Sequence, residues 1–106
     1  MENPRHILTE NLTASFQGDV LPEKYRAVLI RRTDGDVISI EQPINGGWHS
    51  TGGYWFVDDL WQDLEPYSED HIWIDWGQRW AVENGLKNAV HKAVTIITKE
   101  ERSKSA

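Results

Sequence analysis

Carboxylates and tryptophans crowd into one stretch of twenty residues, VDDLWQDLEPYSEDHIWIDW at 57–76. The stretch holds seven Asp or Glu residues, three Trp and one His, but no Lys or Arg. Carboxylates bind metal ions, attract basic partners and act as acids or bases in catalysis. Tryptophan rings anchor protein interfaces, and they also fill cores. This stretch is therefore the first candidate for a functional surface.

The negative charge is not spread evenly along the chain. Residues 33–78 contain ten acidic and no basic side chains, a net charge of −10, whereas the two ends hold eleven basic and seven acidic side chains, a net charge of +4. A surface with the charge of the middle segment repels phosphate groups and attracts cations. The sequence therefore predicts no direct binding of nucleic acid and favours a partner with a basic surface.

The same region contains no recognised catalytic or metal-binding motif. His49, Ser50 and Thr51 lie together in PINGGWHSTGG at 43–53, but no G-x-S-x-G pattern surrounds the serine and no phosphate-loop lysine follows. The acidic stretch lacks the spacing of a calcium-binding loop, and no H-E-x-x-H motif occurs. We therefore predict that the protein is not an enzyme and has no metal ion or cofactor.

Length and composition set the expected class. A chain of 106 residues with 26% charged residues is expected to be a single globular domain over 1–106, ending in a short polar tail from about residue 100. The absence of cysteine excludes disulfides and thiolate zinc sites. No stretch approaches the roughly 20 apolar residues of a membrane span or resembles a signal peptide. A cytoplasmic protein without membrane contact is expected.

A β-hairpin is predicted over residues 25–42, where two apolar runs flank Asp34-Gly35. A type I′ turn at that pair would place Leu29 opposite Ile40. Residues 43–53 are predicted as a glycine-rich loop, and short strands are predicted near 54–57 and 71–76. Residues 58–65 are predicted as a short helix capped by the two aspartates. The first 22 residues are predicted as a short helix or an edge strand.

A long C-terminal helix is predicted over about 78–99, where apolar residues from Val82 to Ile97 recur at steps of three and four. With the predicted strands, this indicates an α+β fold. Its small, mainly antiparallel sheet would carry the long helix packed on one face.

Six tryptophans in one small chain are more than a core of this size needs. We therefore predict an acidic, Trp-rich protein-interaction domain that docks on a basic partner surface, as an inhibitor or adaptor. Small acidic inhibitors of nucleic-acid-handling enzymes, including many from bacteriophages, have this size and charge. Two alternatives are a carbohydrate or small-ligand binding module and a homo-oligomeric structural subunit. The predicted partner-binding residues are Asp58, Asp59, Trp61, Asp63, Glu65, Glu69 and Asp70, with Trp48 as an accessory anchor.

Overall fold

A computed structural model describes residues 4–67, 71–73, 80–83 and 85–105. Within these residues, six antiparallel strands form one sheet in the order β4-β3-β2-β1-β6-β5, joined by two helices. The elements in chain order are β1 (Arg5–Phe16), β2 (Asp19–Ile30), β3 (Val37–Ile44), β4 (Gly47–Phe56), α1 (Val57–Tyr67), β5 (His71–Trp73), β6 (Trp80–Glu83) and α2 (Leu86–Ser105). The prediction of an α+β fold is confirmed at this level. Neither helix in the described part of the chain has the length and apolar character that a membrane span requires.

The first four strands form a meander of hairpins. Two-residue turns join β1 to β2 at Gln17-Gly18 and β3 to β4 at Asn45-Gly46, and all four residues have positive φ angles. Such a pair of positive φ angles suits the right-handed twist of the strands that it connects. Residues 43–53, predicted as a loop, therefore belong mostly to β3, this tight turn and β4. Within the first 22 residues, β1 is an interior strand between β2 and β6. It is neither the helix nor the edge strand that was predicted there.

The predicted hairpin over 25–42 is present with a different register. Leu29 lies opposite Ile38, and Ala27 lies opposite Ile40, so the register is shifted by two residues. The closing pair is Ile30 and Val37, which leaves a connection of six residues, 31–36, instead of a two-residue turn at Asp34-Gly35. Because the shift is an even number of residues, each side chain keeps its predicted face of the sheet.

The C-terminal helix predicted over 78–99 both begins and ends at earlier residues than the observed helix. Residues 80–83 form β6, which pairs with β1, and α2 runs from Leu86 to Ser105. Gly85 separates the two elements with a φ angle of +120°, a conformation that few residues other than glycine adopt. The polar tail predicted from about residue 100 is helical as far as Ser105. Of the strand predicted over 71–76, residues 71–73 are β5 and the rest lie outside the described residues.

One buried cluster draws side chains from the sheet and from both helices. Its members on the strands include Leu8, Leu12, Ala14, Tyr25, Ala27, Leu29, Ile38, Ile40 and Val82. The helices contribute Val57, Leu60, Leu86, Ala89, Val90 and Ala93. The apolar stripe of the C-terminal helix, predicted from its spacing, is thus buried from Leu86 to Ala93 and half-buried at Val94 and Ile97.

Tyr25, a member of this cluster, lowers the stability of the fold when its hydroxyl ionises at alkaline pH. Its burial, followed by the negative charge of Glu23, raises the pKa of Tyr25 to about 12. An unfolded tyrosine has a pKa of about 10, so the folded state holds the proton more tightly. The raised pKa therefore stabilises the folded state fully below pH 10. This stabilisation is lost as the pH rises towards 12, at up to about 1.4 kcal/mol per pH unit.

We expect the free energy of unfolding to fall over this interval and to fall less steeply in Tyr25→Phe. Urea unfolding at a series of pH values, followed by tryptophan fluorescence, measures both slopes. Equal slopes for the two proteins would contradict the assignment to Tyr25.

Candidate protein-interaction surface

Asp58 and Asp59 lie in the first turn of α1, and both side chains are exposed. The helix begins where β4 ends, and the Val57 N–H donates a hydrogen bond to the Asp36 carbonyl oxygen at 3.0 Å. Negative charge is favourable at a helix N-terminus because it faces the positive end of the helix dipole. The sequence therefore places two solvated carboxylates beside the connection between β2 and β3.

Arg31 joins that connection to the last turns of α2. Its Nε donates to Asp36 Oδ1 at 2.8 Å, its Nη2 donates to Glu101 Oε1 at 2.9 Å, and its Nη1 donates to Glu100. The Arg31 side chain is only 11% exposed. Burial alone would lower the pKa of Arg31, but the three carboxylates, Asp36 foremost, raise it above its usual value. His6 Nε2 also lies 3.0 Å from Glu100 Oε1, so β1 contacts the same cluster.

A second arginine–aspartate pair lies at the tip of the same connection. Arg32 donates to Asp34 through Nε at 2.9 Å and through Nη2 at 2.5 Å. The hydrogen bond from Arg32 holds the pKa of Asp34 below its usual value. Since Asp34 is well exposed, this pair is solvated and adds little to stability.

Together these groups give one end of the molecule a net negative charge. The residues that define this acidic end are Asp34, Asp36, Asp58, Asp59, Glu100 and Glu101, with Arg31 and Arg32. Six carboxylates and two guanidinium groups give these eight residues a net charge of −4, and Lys99 and Arg102 flank the two glutamates in α2. A protein surface of this kind steers basic partners towards itself over a distance set by the ionic strength.

A recess of about 330 Å³ opens within the acidic end. Apolar side chains and carboxylates both line it: Phe56, Val57 and Ile97 with Asp36, Asp58 and Glu101. Lysine and arginine side chains combine an apolar stem with a cationic tip, and they bury the stem while the tip keeps polar contacts. The lining of the recess therefore suits a basic side chain of a partner protein.

The predicted anchor Trp61 is not a freely exposed ring. It is half-buried, packs against the buried cluster and meets the His91 ring edge-on, with centroids 4.9 Å apart and an angle of 64° between the planes. This contact joins α1 to α2, so Trp61 has a structural role. Asp63 and Glu65 lie in α1 with side chains outside the described part of the protein, and Glu69 and Asp70 lie outside the described residues altogether.

Trp48 lies far from the acidic end. It pairs with Pro43 at the start of β4, whereas Phe56, at the end that leads into α1, pairs with Val37. The six residue steps along β3 from Val37 to Pro43 correspond to about 20 Å. The structure therefore does not unite Trp48 with Asp58 and Asp59 in one compact site, as the sequence had suggested.

Trp48 instead belongs to a cluster around a buried acid. The Arg26 guanidinium lies over the Trp48 ring at 4.8 Å from its centroid, and Arg26 Nε donates to Glu41 Oε1 at 2.6 Å. Arg5 Nη2 donates to the other oxygen, Glu41 Oε2, at 2.8 Å. The Glu41 side chain is only 6% exposed, so two arginines compensate its burial.

Sequence reasoning missed Glu100 and Glu101 as members of the surface. Both were assigned to the short polar tail, and no local pattern signals that Arg31 would bind them. Asp34 and Asp36 were recognised as part of the acidic middle segment but only as turn residues. Among the described residues, no group of three or more His, Cys, Asp or Glu side chains is arranged to hold a metal ion.

The fold and this surface define a small α+β protein whose exposed carboxylates gather around the β2–β3 connection. Comparisons of the chain with protein-family models, with curated proteins and with solved structures find no match in any of the three.

Proposed function

We propose that this protein is a small acidic interaction domain that docks its acidic end on a basic surface of a partner protein and acts as an inhibitor or adaptor. The observation that carries the proposal is the recess of about 330 Å³, because apolar side chains and carboxylates line it together. A lysine or arginine of the partner would place its stem against Phe56 and Ile97 and its charge beside Asp58 and Glu101. Exposed carboxylates around the recess would steer the approach.

The class of partner follows from the charge of this end. A surface that binds nucleic acid is rich in lysine and arginine, so carboxylates can occupy it in place of backbone phosphates. The proposal therefore extends to inhibition of a nucleic-acid-handling enzyme, of the kind that bacteriophages encode, and to a cytoplasmic location. Direct contact between this protein and nucleic acid forms no part of it.

We further propose that α2 lies across one face of the sheet, which would fix Glu100 and Glu101 relative to β2. The burial of Leu86, Ala89, Val90 and Ala93 in the same cluster as strand residues supports this arrangement. The ion pairs of Arg31 with both glutamates support it as well.

The test uses two double variants with the same change in charge. Asp58→Lys/Asp59→Lys alters the acidic end, whereas Asp19→Lys/Glu23→Lys alters two exposed residues near the other end of β2. Capture from bacterial lysate at low and moderate salt identifies partners, and titration of the purified partner then gives its affinity for each protein. We expect the first variant to lose at least about tenfold in affinity, since two attractive contacts of up to about 1 kcal/mol each become repulsive.

The control variant should retain the wild-type affinity. The wild-type association rate should also fall as salt rises, because screening shortens the reach of the charges. Equal affinity of a purified partner for wild type and Asp58→Lys/Asp59→Lys would contradict docking through the acidic end.

A further inference from the structure

β4 is the outermost strand of the sheet at one edge. Its ten residues, Gly47–Phe56, pair with β3 on one side, and within the described residues no strand pairs with its other side. A strand in that position directs about half of its backbone N–H and C=O groups away from the sheet. These groups form a ready template for another strand.

The features that normally protect such an edge are largely missing from β4. Natural edge strands are short, contain β-bulges or carry lysine, other charges or proline, which oppose pairing with another chain; of these features β4 has a β-bulge. β4 is longer than a typical strand, and its sequence, GWHSTGGYWF, contains no Lys, Arg, Asp, Glu or Pro. It also exposes aromatic area, because Tyr54 is 55% and Phe56 40% accessible to solvent.

The middle of β4 contains a β-bulge that interrupts the edge. Ser39 pairs with Tyr54 and Glu41 with Ser50, so three residues, 51–53, face Ile40 alone. Two of the three are glycines, and Gly52 has a φ angle of +87°, which favours glycine. The N–H groups of Gly52 and Gly53 already donate to Ser50 Oγ at 3.0 Å and to Thr51 Oγ1 at 3.2 Å. Pairing with another strand therefore falls to the segments on either side of the bulge, 47–50 and 54–56.

We propose that β4 pairs antiparallel with β4 of a second copy of this chain, which joins the two sheets across a twofold axis. An uncharged strand can pair with itself without like charges facing each other, although each copy carries a net charge of −6. The antiparallel arrangement also sets the two acidic ends at opposite ends of the interface. Ten residues of strand separate them by about 33 Å, several times the Debye length of about 8 Å at physiological salt.

This inference can be tested apart from the proposed function, because Phe56 is the one β4 residue that also lines the recess, and neither Ser50 nor His49 takes part in it. An isologous contact through β4 leaves Asp58, Asp59 and the recess lining on α2 outside the strand ladder. The dimer would therefore present two acidic ends to its surroundings. Failure of docking and failure of dimerisation can be observed separately.

The first experiment is sedimentation equilibrium of the full chain at concentrations from about 1 to about 100 µM. We expect wild type to reach the mass of a dimer, twice 12.2 kDa. Ser50→Lys/Tyr54→Lys should sediment as a monomer, because lysines on one strand would face those of the partner strand. The matched control, Ile7→Lys/Thr98→Lys, adds the same charge at two exposed positions outside β4 and should remain a dimer.

A second measurement locates the contact, and the absence of native cysteine makes it simple. Single variants His49→Cys, Ser50→Cys and Tyr54→Cys are treated with a short bismaleimide, with Thr98→Cys as the control. We expect a covalent dimer at one or more of the β4 positions and none at the control position. A wild-type protein that stays monomeric at about 100 µM overturns the proposal. A dimer that resists Ser50→Lys/Tyr54→Lys and gives no cross-link in β4 overturns it as well.

Discussion

Replacing Arg31 with methionine is expected to lower the free energy of unfolding by about 3 kcal/mol. Methionine preserves much of the apolar volume but removes the cation that Asp36, Glu100 and Glu101 share. The three carboxylates would then repel one another at the junction of the β2–β3 connection and α2. Removing one partner of a buried ion pair costs several kcal/mol because the remaining charge stays desolvated, and the greater exposure of Glu100 and Glu101 moderates the loss here.

Urea unfolding followed by tryptophan fluorescence measures this effect. The control is Arg31→Lys, which restores a positive charge but cannot reproduce three directional hydrogen bonds, so we expect an intermediate loss. Added salt should reduce the difference in unfolding free energy between Arg31→Met and wild type, because it screens the repulsion among the carboxylates. An unfolding free energy within about 0.5 kcal/mol of wild type would show that the Arg31 contacts do not stabilise the fold.

Glu41→Gln is expected to lower the free energy of unfolding by about 2 kcal/mol. The amide keeps the shape and one acceptor oxygen but loses the charge that compensates Arg5 and Arg26. Arg26 is itself mostly buried, with an 18% exposed side chain, so its guanidinium would be left without a full counter-charge. Its stacking on Trp48 survives, which limits the loss.

A double-mutant cycle isolates this interaction. Arg26→Met is measured alone and together with Glu41→Gln, and we expect a coupling energy of about 1–2 kcal/mol between the two sites. The loss in the double variant should therefore be smaller than the sum of the two single losses. Strict additivity would indicate that Glu41 and Arg26 act independently despite their 2.6 Å contact.

The hairpin over 25–42 shows how far local patterns reach. Alternation of apolar residues correctly assigned the faces of both strands, because the side-chain period of a strand is fixed. The predicted two-residue turn was wrong, although Asp34-Gly35 has a sequence typical of a type I′ turn. Arg31 and Asp36 form an ion pair instead of continuing the strand pairing. The true two-residue turn with an Asn-Gly sequence, at Asn45-Gly46, was included in a loop because glycines surround it.

The start of the C-terminal helix illustrates a different limit. Val82 continues the apolar spacing of α2 by coincidence, since it is buried in β6 and not in the helix. Residues 80–83 form a strand because they pair with β1. Local periodicity carries no information about contacts between residues so far apart in the chain. The same reason explains the candidate surface. Asp58 and Asp59 were evident from composition, but Glu101 meets Asp58 at the recess only in the folded chain, where Arg31 binds Glu100 and Glu101.

The position of β6 beside β1 has a consequence for the order in which the chain folds. β1 to β4 form successive hairpins whose strands are neighbours in sequence, and such local contacts form early because they close short loops. Contact between β6 and β1 pairs Phe16 with Trp80 and Thr13 with Glu83, so it must close more than sixty residues of chain. β1 is thus synthesised well before its second neighbour, β6. Until β6 has been synthesised, the meander carries a bare edge on β1 as well as on β4, and nascent chains are most prone to associate with one another during that interval.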